Sequence, residues 1–487
     1  MEGSEVSLGY GAGSSHAPGA RMAPGAIATR LPEGGLLPLA RDIGSAFRTI
    51  MRAEDDRTRT QRAALFAFLV RIVSAAIAYA SQVVLARWMG SFEYGSFVFV
   101  WVWVLVLGGT SSVGLNIAAM RFVPEYREGR DWNRLRGYLR GSRVATVLFS
   151  SLVAGVALGL LHLFGDRMPP HYLMPGVLIL FCLPIYTMTD VQDGIGRAHH
   201  WIGVGLVPPY VLRPLFILTG MVIAHAAGWP MQATTAAGCA GVATWLAGLI
   251  QTFLIEQRVA RMVPRGPRTY EFATWLKTSL PILMILAFDL VVQNTDVLMI
   301  SRYMTPSDVG IYFAGVKTIG LIAFVHYAVS SAVANQFAKL NARGDRDGLE
   351  DLVREAVRWT FWPSLVAAMI VLALGKPMLW LFGPEFTVAY GPMFVLAIGL
   401  LAKASMGPVE FLLNMLGEQL RSAAVLVFTA VLNVLLNYLL IPRFGLMGAA
   451  AATATSLTVA SLLYRAIAKR RLNIEVSILA QWRRRPG

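Results

Sequence analysis

Twelve apolar stretches, each long enough to cross a lipid bilayer, follow one another along the 487-residue chain. A transmembrane helix needs about 20 apolar residues, because roughly 30 Å of hydrocarbon is crossed at 1.5 Å per residue. The stretches lie at residues 63–86, 96–120, 144–165, 174–196, 202–226, 232–256, 279–300, 310–334, 360–382, 388–415, 422–442 and 446–467. Only 15% of the residues are charged, against about 25% in a soluble domain. The sequence therefore predicts an all-α polytopic membrane protein.

The net charge of +15 is concentrated in the connections that follow the even-numbered spans. These connections contain Arg121, Arg127, Arg130, Arg134, Arg136, Arg140 and Arg143, then Arg258, Arg261, Arg265, Arg268 and Lys277, then Lys339, Arg343, Arg346, Arg354 and Arg358. The odd-numbered connections carry one or two basic residues each, such as Arg87 and Arg302. Because short cytoplasmic loops hold the positive charge, both termini are predicted to be cytoplasmic.

Five segments are predicted from this pattern. They are a cytoplasmic tail at 1–60, a six-helix bundle at 61–257, a cytoplasmic linker at 258–278, a second six-helix bundle at 279–468 and a basic cytoplasmic tail at 469–487. The first 35 residues are rich in Gly, Pro, Ser and Ala, and this composition is typical of disorder. Residues 36–52 could form an interfacial helix; alternatively, translation starts at Met51.

The two bundles resemble each other in sequence. An offset of 215 aligns Arg87 with Arg302, Gly95 with Gly310, and also Met89 with Met304 and Arg143 with Arg358. Six spans per repeat keep the two halves parallel, related by an axis along the membrane normal. Two facing bundles of this kind favour an alternating-access transporter over a channel or an enzyme.

Sequence motifs at three span junctions carry a family resemblance. The first junction reads ARWMGSFEYG at 86–95, the equivalent one reads DVLMISRYM at 296–304 followed by DVGIY at 308–312, and RFGLMGAA at 443–450 opens the last span. The chain resembles the polysaccharide-export and O-antigen flippase (Wzx-type) family of the multidrug/oligosaccharidyl-lipid/polysaccharide exporter superfamily. That family shows A-R-x-L/M-G-x-x-E-F/Y-G at the first junction. The resemblance covers residues 60–470.

The same motif residues have a structural interpretation. Gly95 and Gly310 are expected to permit a tight reversal of the chain at the membrane surface. Arg87 is expected to pair with Glu93, and Arg302 with Asp308, across that turn.

Ionisable residues within the spans are the candidate site residues, because a charge in the bilayer needs a cavity or a partner. Arg213 is the strongest candidate, since Pro208, Pro209 and Pro214 surround it and irregular backbone at that depth lines a cavity. The resemblance implies a central cavity that often carries cations. The expected substrate-binding lining is Arg71, Arg213, Lys317 and Lys403. The alternative is that Arg71 pairs with Asp289, and Lys403 with Glu410, as ties between helices.

Four acidic residues are expected to serve coupling or gating: Asp193, Asp289, Asp296 and Glu410. Asp190, Asp193 and Arg197 lie near the cytoplasmic end of span 4, which favours a gate or a helix-end ion pair over a binding site. His326 is either a proton relay or, more commonly for such a residue, a packing histidine.

No motif of catalysis, nucleotide binding or metal binding occurs in the sequence. We therefore expect no catalytic residue, no cofactor, no metal and no nucleic-acid partner. The two cysteines, Cys182 and Cys239, give no disulfide framework. Without a Walker motif, the energy for transport would come from an ion gradient, the membrane potential or the substrate gradient.

Spans, repeat and intramembrane cations together predict a flippase for an undecaprenyl-pyrophosphate-linked oligosaccharide in the bacterial inner membrane. Its expected partners are this substrate, membrane lipids and, in the same pathway, a polysaccharide polymerase and a chain-length regulator. A cation-coupled multidrug antiporter and a lipid II flippase remain alternatives, although the basic site candidates disfavour the first. A membrane-embedded polymerase or ligase is a further alternative that the short outward loops disfavour.

Overall fold

The computed structural model describes residues 56–478, with side chains from residue 70 onward except at 71, 167, 282 and 335. The expectations for the N-terminal tail, the interfacial helix, the start at Met51 and residues 479–487 of the basic C-terminal tail lie outside the described residues. Residues 56–478 are almost entirely helical and contain no β-strand. The all-α fold class is therefore confirmed.

The described residues form sixteen α-helices, eight in each half of the chain. The first half contains α1 (Asp56–Ser111), α2 (Leu115–Glu128), α3 (Trp132–Phe164), α4 (Pro170–Leu180), α5 (Leu183–Ala198), α6 (Ile202–Val207), α7 (Arg213–Ala226) and α8 (Ala233–Met262). The second half contains α9 (Phe272–Tyr303), α10 (Pro306–Ile319), α11 (Ala323–Ala342), α12 (Arg346–Ala373), α13 (Gly375–Phe382), α14 (Tyr390–Ala404), α15 (Val409–Met415) and α16 (Gln419–Ile467).

These helices account for the expected number of membrane crossings. Nine described stretches are long and apolar enough to cross, and α4 with α5, which meet at a bend of 51°, form a tenth. Two of the nine, Ile72–Glu128 with 57 residues and Gln419–Leu472 with 54, would each extend about 80 Å as one helix. Non-helical backbone at Gly90 and Gly445 interrupts them. The chain reverses at both breaks, because the Tyr94 hydroxyl donates to the Gln82 side chain at 2.8 Å and a Cβ atom on Gly448 would overlap the Leu440 carbonyl. Each stretch therefore supplies two candidate crossings, which brings the described total to twelve.

Each half packs chiefly within itself. In the first half α5 packs against α2, α3 and α8, and α7 packs against α8; in the second half α16 packs against α9 and α14, and α11 against α12. Helix interruptions recur at equivalent spans: residues 112–114 correspond to 320–322, and residues 181–182 correspond to 405–408. This arrangement agrees with two bundles related by a repeat.

The connections between spans lie at two opposite ends of the helices. We call one the glycine end, because Gly90, Gly228, Gly383 and Gly445 adopt positive φ in its turns. Contacts join these turns: the Glu93 carboxylate accepts a hydrogen bond of 2.7 Å from the backbone N–H of Ala233. We call the other the basic end, formed by residues 129–131, 199–201, 263–271 and 343–345. Its turns belong to the arginine-rich connections.

The expected roles of the junction motif were wrong in detail. Gly90, with φ of 74°, makes the reversal after the first span, whereas Gly95 lies within α1 and Gly310 within α10. The Arg87 guanidinium donates to the backbone carbonyl of Trp380 at 3.4 Å instead of pairing with Glu93. Arg87 and Glu93 lie on either side of the reversal at Gly90, but each contacts a different element: Arg87 contacts Trp380, and Glu93 contacts Ala233.

The second motif was likewise assigned wrongly. Asp308 does not pair with Arg302, because it forms a capping box with Thr305 at the start of α10. The Arg302 guanidinium lies instead 5.9 Å from the ring centre of Tyr303. Capping satisfies the free backbone N–H groups at the helix start, so the aspartate has a local structural role.

The chain that follows each bundle returns across the basic end of that bundle. In the first half Arg136 of α3 donates to the carbonyl of Pro267 at 2.9 Å, and Arg134 pairs with Glu271 at 2.9 Å. In the second half Arg346 of α12 donates to the carbonyl of Leu472 at 2.7 Å. Residues 263–271, within the predicted linker 258–278, are thus docked against the first bundle.

Candidate functional site

Arg213 follows a stretch of irregular helix in the fifth span. Residues Pro208–Leu212 form one π-helical turn, and Arg213 is the first residue of α7 directly after it. Pro209 has no N–H to donate to the carbonyl of Gly205 four residues earlier, so the α-helical bond there cannot form. The irregular backbone expected from the three prolines is present at this position.

A glutamine from the next span replaces the missing donor. The side-chain amide of Gln251 in α8 donates to the carbonyl oxygen of Gly205 at 3.0 Å, and Gln251 is fully buried. A carbonyl without a donor in a membrane interior would cost several kcal/mol. The sequence analysis missed Gln251, although a polar residue in an apolar span beside a proline-rich span was a usable signal.

Two aromatic rings hold the Arg213 guanidinium. Its central carbon lies 5.5 Å from the ring centre of Trp101 and 5.0 Å from that of Tyr186. The two rings are 6.2 Å apart and perpendicular, so the guanidinium occupies the corner between them. Arg213 is only half-buried, and it forms no salt bridge with any carboxylate among the described side chains. The site therefore presents a cation whose charge no direct ion pair neutralises.

The two aspartates near the end of the fourth span have partners of their own. Asp190 accepts a hydrogen bond of 2.7 Å from the amide of Asn116, which follows the break in the second span. Asp193 is 4% exposed, and its carboxylate lies 3.0 Å from the guanidinium of Arg197. Asp193 therefore forms the helix-end ion pair that was one of its two expected roles.

A cavity of about 220 Å³, whose wall combines apolar surface with several polar and charged side chains, lies in the second half between α9, α14, α15 and α16. Lys403, Glu410 and Asp289 all line it. The Lys403 ammonium lies 3.4 Å from the Glu410 carboxylate, and His326 lies 3.6 Å from the same carboxylate. Asp289 accepts a hydrogen bond of 2.6 Å from Gln293. The geometry favours the alternative in which Lys403 and Glu410 tie two helices.

Two asparagines in the same cavity region were missed from the sequence. Asn433 and Asn437 in α16 are fully buried, and the Asn437 amide donates to the Asn433 side-chain oxygen at 3.1 Å. Asn433 lines the cavity together with Thr453 and Ser456. Their spacing of four residues in an apolar helix places both amides on one face, which was a signal available in the sequence.

Two further predicted site residues, Asp296 and Lys317, lie near each other in the second half. Lys317, in the last turn of α10, is exposed, and its ammonium lies 4.7 Å from the ring centre of Phe313. Asp296 in α9 is 5% exposed, and its carboxylate accepts a hydrogen bond from its neighbour's backbone N–H. The side chain of Arg71 lies outside the described side chains. Among the described cations, Lys403 lies with Glu410 in the second half while Arg213 lies in the first.

Comparison with known proteins agrees with this architecture. The probable low-salt glycan biosynthesis flippase Agl15 of Haloferax volcanii is 26% identical over 170 residues, which is 35% of this chain and 36% of Agl15. The chain thus aligns with about a third of that relative's length. An inward-facing multidrug resistance MATE family transporter of the MOP superfamily superposes with a TM-score of 0.71 and 12% identity, covering 83% of this chain and 98% of the other.

A second solved structure shares the fold. The lipid II flippase MurJ in an inward closed conformation superposes with a TM-score of 0.65 and 14% identity, covering 83% of this chain and 87% of MurJ. The MatE family model matches residues 281–439. The model described as polysaccharide biosynthesis protein matches residues 61–337. Because this match spans more than half of the chain, the protein belongs to the polysaccharide biosynthesis protein family, as the junction motifs predicted.

Proposed function

We propose that the protein is a flippase that moves an undecaprenyl-pyrophosphate-linked oligosaccharide from the inner to the outer leaflet of the bacterial inner membrane. The product would serve surface polysaccharide biosynthesis, such as O-antigen or exopolysaccharide. The observation that carries the proposal is Arg213, a half-buried cation beside irregular backbone, with aromatic rings and no salt bridge among the described side chains. A permanent positive charge in this environment attracts an anionic head group.

The geometry around Arg213 suits a pyrophosphate. Trp101 and Tyr186 contact the guanidinium from two sides, and we propose that its N–H groups bind oxygen atoms of the ligand. Arginine binds phosphate oxygens through two parallel hydrogen bonds. In this mechanism the sugar and pyrophosphate enter the space between the halves while the lipid tail stays in the bilayer. Arg71 and Lys317 are proposed as further cations along the path.

The cavity in the second half is the proposed coupling site. Lys403 has a carboxylate partner, so we assign it to this cavity and not to the substrate lining. Asp289 and Glu410 contribute two carboxylates to one cavity, and binding of a cation or proton there would change its charge. Asp296 is proposed to contribute to coupling beside Lys317, and Asp193 with Arg197 to gating at the basic end.

Sidedness follows from the charge distribution. The basic end is assigned to the cytoplasm and the glycine end to the outside, with both termini cytoplasmic. A polysaccharide polymerase and a chain-length regulator are the proposed partners on the outer side. A carrier of cationic drugs would place a carboxylate where Arg213 lies, so this site favours an anionic substrate over such drugs.

Deletion of the gene in its own host tests the function. Lipid-linked oligosaccharide is expected to accumulate in the inner leaflet and to disappear when the wild-type gene is restored. The substitution Arg213→Glu is expected to restore less than a tenth of the export. Arg268→Glu changes the net charge equally, replaces an exposed side chain, and is expected to restore export fully.

Two results would contradict these proposals separately. Unchanged lipid-linked oligosaccharide after deletion would overturn the flippase function. Full export by Arg213→Glu, in protein that reaches the membrane at the wild-type level, would overturn the site while leaving the function intact.

A further inference from the structure

The two halves touch backbone to backbone at Gly95 and Gly310. A Cβ atom built on Gly95 would overlap the carbonyl oxygen of Pro306 and would lie 2.8 Å from the backbone nitrogen of Gly310. A Cβ atom on Gly310 would lie 2.8 Å from the carbonyl oxygen of Ser91 and 3.1 Å from the nitrogen of Gly95. Both glycines have ordinary helical φ values. Glycine is therefore required at both positions because a side chain would not fit there, and not because of the backbone conformation.

Gly95 and Gly310 occupy equivalent positions in the repeat. Each lies five residues after a reversal of the chain, at Gly90 within α1 and at Thr305 just before α10. The offset of 215 aligns the two glycines. An axis that relates the halves must pass close to a point where equivalent residues meet. The contact between α1 and α10 is thus a central point of the glycine end, where a path between the halves would have to emerge.

Aromatic side chains close the space around this contact. Tyr94 is fully buried and packs against Phe313 and Phe386 of the second half, with ring centres 6.5 and 5.9 Å apart. Tyr79 packs against Phe382 at 5.5 Å, and its hydroxyl lies 3.1 Å from that of Thr318. The glycine end is therefore closed in this structure.

The chemistry of this closure permits separation. The backbones meet through glycine Cα atoms and carbonyl oxygens, so the contact consists of dispersion and weak C–H···O interactions. At the glycine end, the cross-half polar contacts among the described side chains are one hydroxyl pair and the Arg87 bond to the Trp380 carbonyl. Such a surface packs tightly when it is closed. When it opens, few polar groups lose a hydrogen-bond partner.

We infer that the Gly95–Gly310 contact is the outer gate of the transport path: the two glycines must meet for the glycine end to close. This inference rests on the alternating access of the proposed function, but it concerns conformation alone and needs no substrate to be tested. A side chain at either position would keep α1 and α10 apart. Such a variant would therefore populate states in which the glycine end is open.

Spin labels across the glycine end measure this opening. Cysteines replace the exposed residues Asp166 in the first half and Glu385 in the second, after the natural cysteines have been changed by Cys182→Ala and Cys239→Ala. The label distance is then measured by pulsed electron resonance in lipid nanodiscs. Gly95→Ala is expected to shift the distribution to distances several ångströms longer, and Gly310→Ala to cause a smaller shift.

The matched control is a glycine whose Cβ position is empty. Gly155→Ala adds the same methyl group where nothing lies within 4 Å, and it is expected to leave the distances unchanged. If Gly95→Ala does not fold, the milder Gly310→Ala decides. Wild-type distances in a folded variant at either position would overturn the gate. If the deletion experiment overturned the flippase function, the distance measurement would still test the gate independently.

Discussion

A side chain of one span replaces the hydrogen-bond donor that a proline of the neighbouring span lacks. Pro209 cannot donate to the carbonyl of Gly205, and the buried amide of Gln251 supplies the bond at 3.0 Å. The irregular turn before Arg213 is therefore held by a residue of another span. This explains how a proline-rich segment can persist inside a membrane span and hold a charged residue at a fixed depth.

The substitution Gln251→Leu removes that donor and tests the explanation. We expect the free energy of unfolding to fall by about 1 to 3 kcal/mol, because the Gly205 carbonyl loses its partner within an apolar environment. Thermal unfolding in detergent measures the change. Gln336→Leu is the matched control, because Gln336 is exposed and bonds only weakly, at 3.5 Å, within its own helix. Equal stability of the two variants would contradict the role of Gln251.

Residue-scale prediction from the sequence succeeded where local chemistry decides and failed where distant contacts decide. The prolines around Arg213 correctly predicted irregular backbone, because a missing N–H acts within one turn. The glycines of the junction motif were assigned to a turn, but Gly95 meets Gly310 of the other half. A glycine needed for a positive φ and one needed for close packing look the same in a single sequence.

At the scale of elements, the docking of residues 263–271, within the linker predicted at 258–278, could not be read from the sequence. The segment lies against α3 so closely that a Cβ atom on Gly137 would overlap the carbonyl oxygen of Thr269. Thr269 also donates its backbone N–H to the carbonyl of Asn133 at 3.0 Å. Charge and polarity indicate exposure, which is correct for Arg265 and Arg268, but they carry no information on backbone docking.

The substitution Gly137→Ala is expected to release this segment. The added methyl group would push the Thr269 carbonyl away from α3, and trypsin would then cleave after Arg265 and Arg268 several times faster. Limited proteolysis of the purified protein, followed by mass spectrometry, measures the two cleavage rates. Gly159→Ala in the same helix is the control, since nothing lies within 4 Å of its Cβ position. An unchanged rate in Gly137→Ala would show that the segment is held by other contacts alone.

At the scale of the whole molecule, hydropathy and length predicted the twelve crossings, because the thickness of a bilayer fixes the length of each span. Hydropathy alone did not show which spans are interrupted, although GGTSSVG at 108–114 and SMGP at 405–408 contain helix-breaking residues at both breaks. The family resemblance implied a common cationic lining that includes Lys403 and Arg213, with a Lys403–Glu410 tie as the alternative. In the structure, Lys403 lines a cavity in the second half, and Arg213 lies in an aromatic corner in the first.

The sidedness of the molecule is the remaining whole-molecule prediction, and it can be measured directly. In a background without the two natural cysteines, Glu385→Cys marks the glycine end and Arg268→Cys marks the basic end; both positions are exposed. A membrane-impermeant thiol reagent added to intact cells is expected to label Glu385→Cys and to leave Arg268→Cys unlabelled. Both should react after the membrane is permeabilised, which controls for accessibility. The reverse pattern in intact cells would invert the topology, because it would put the arginine-rich connections outside and contradict the charge rule on which the assignment rests.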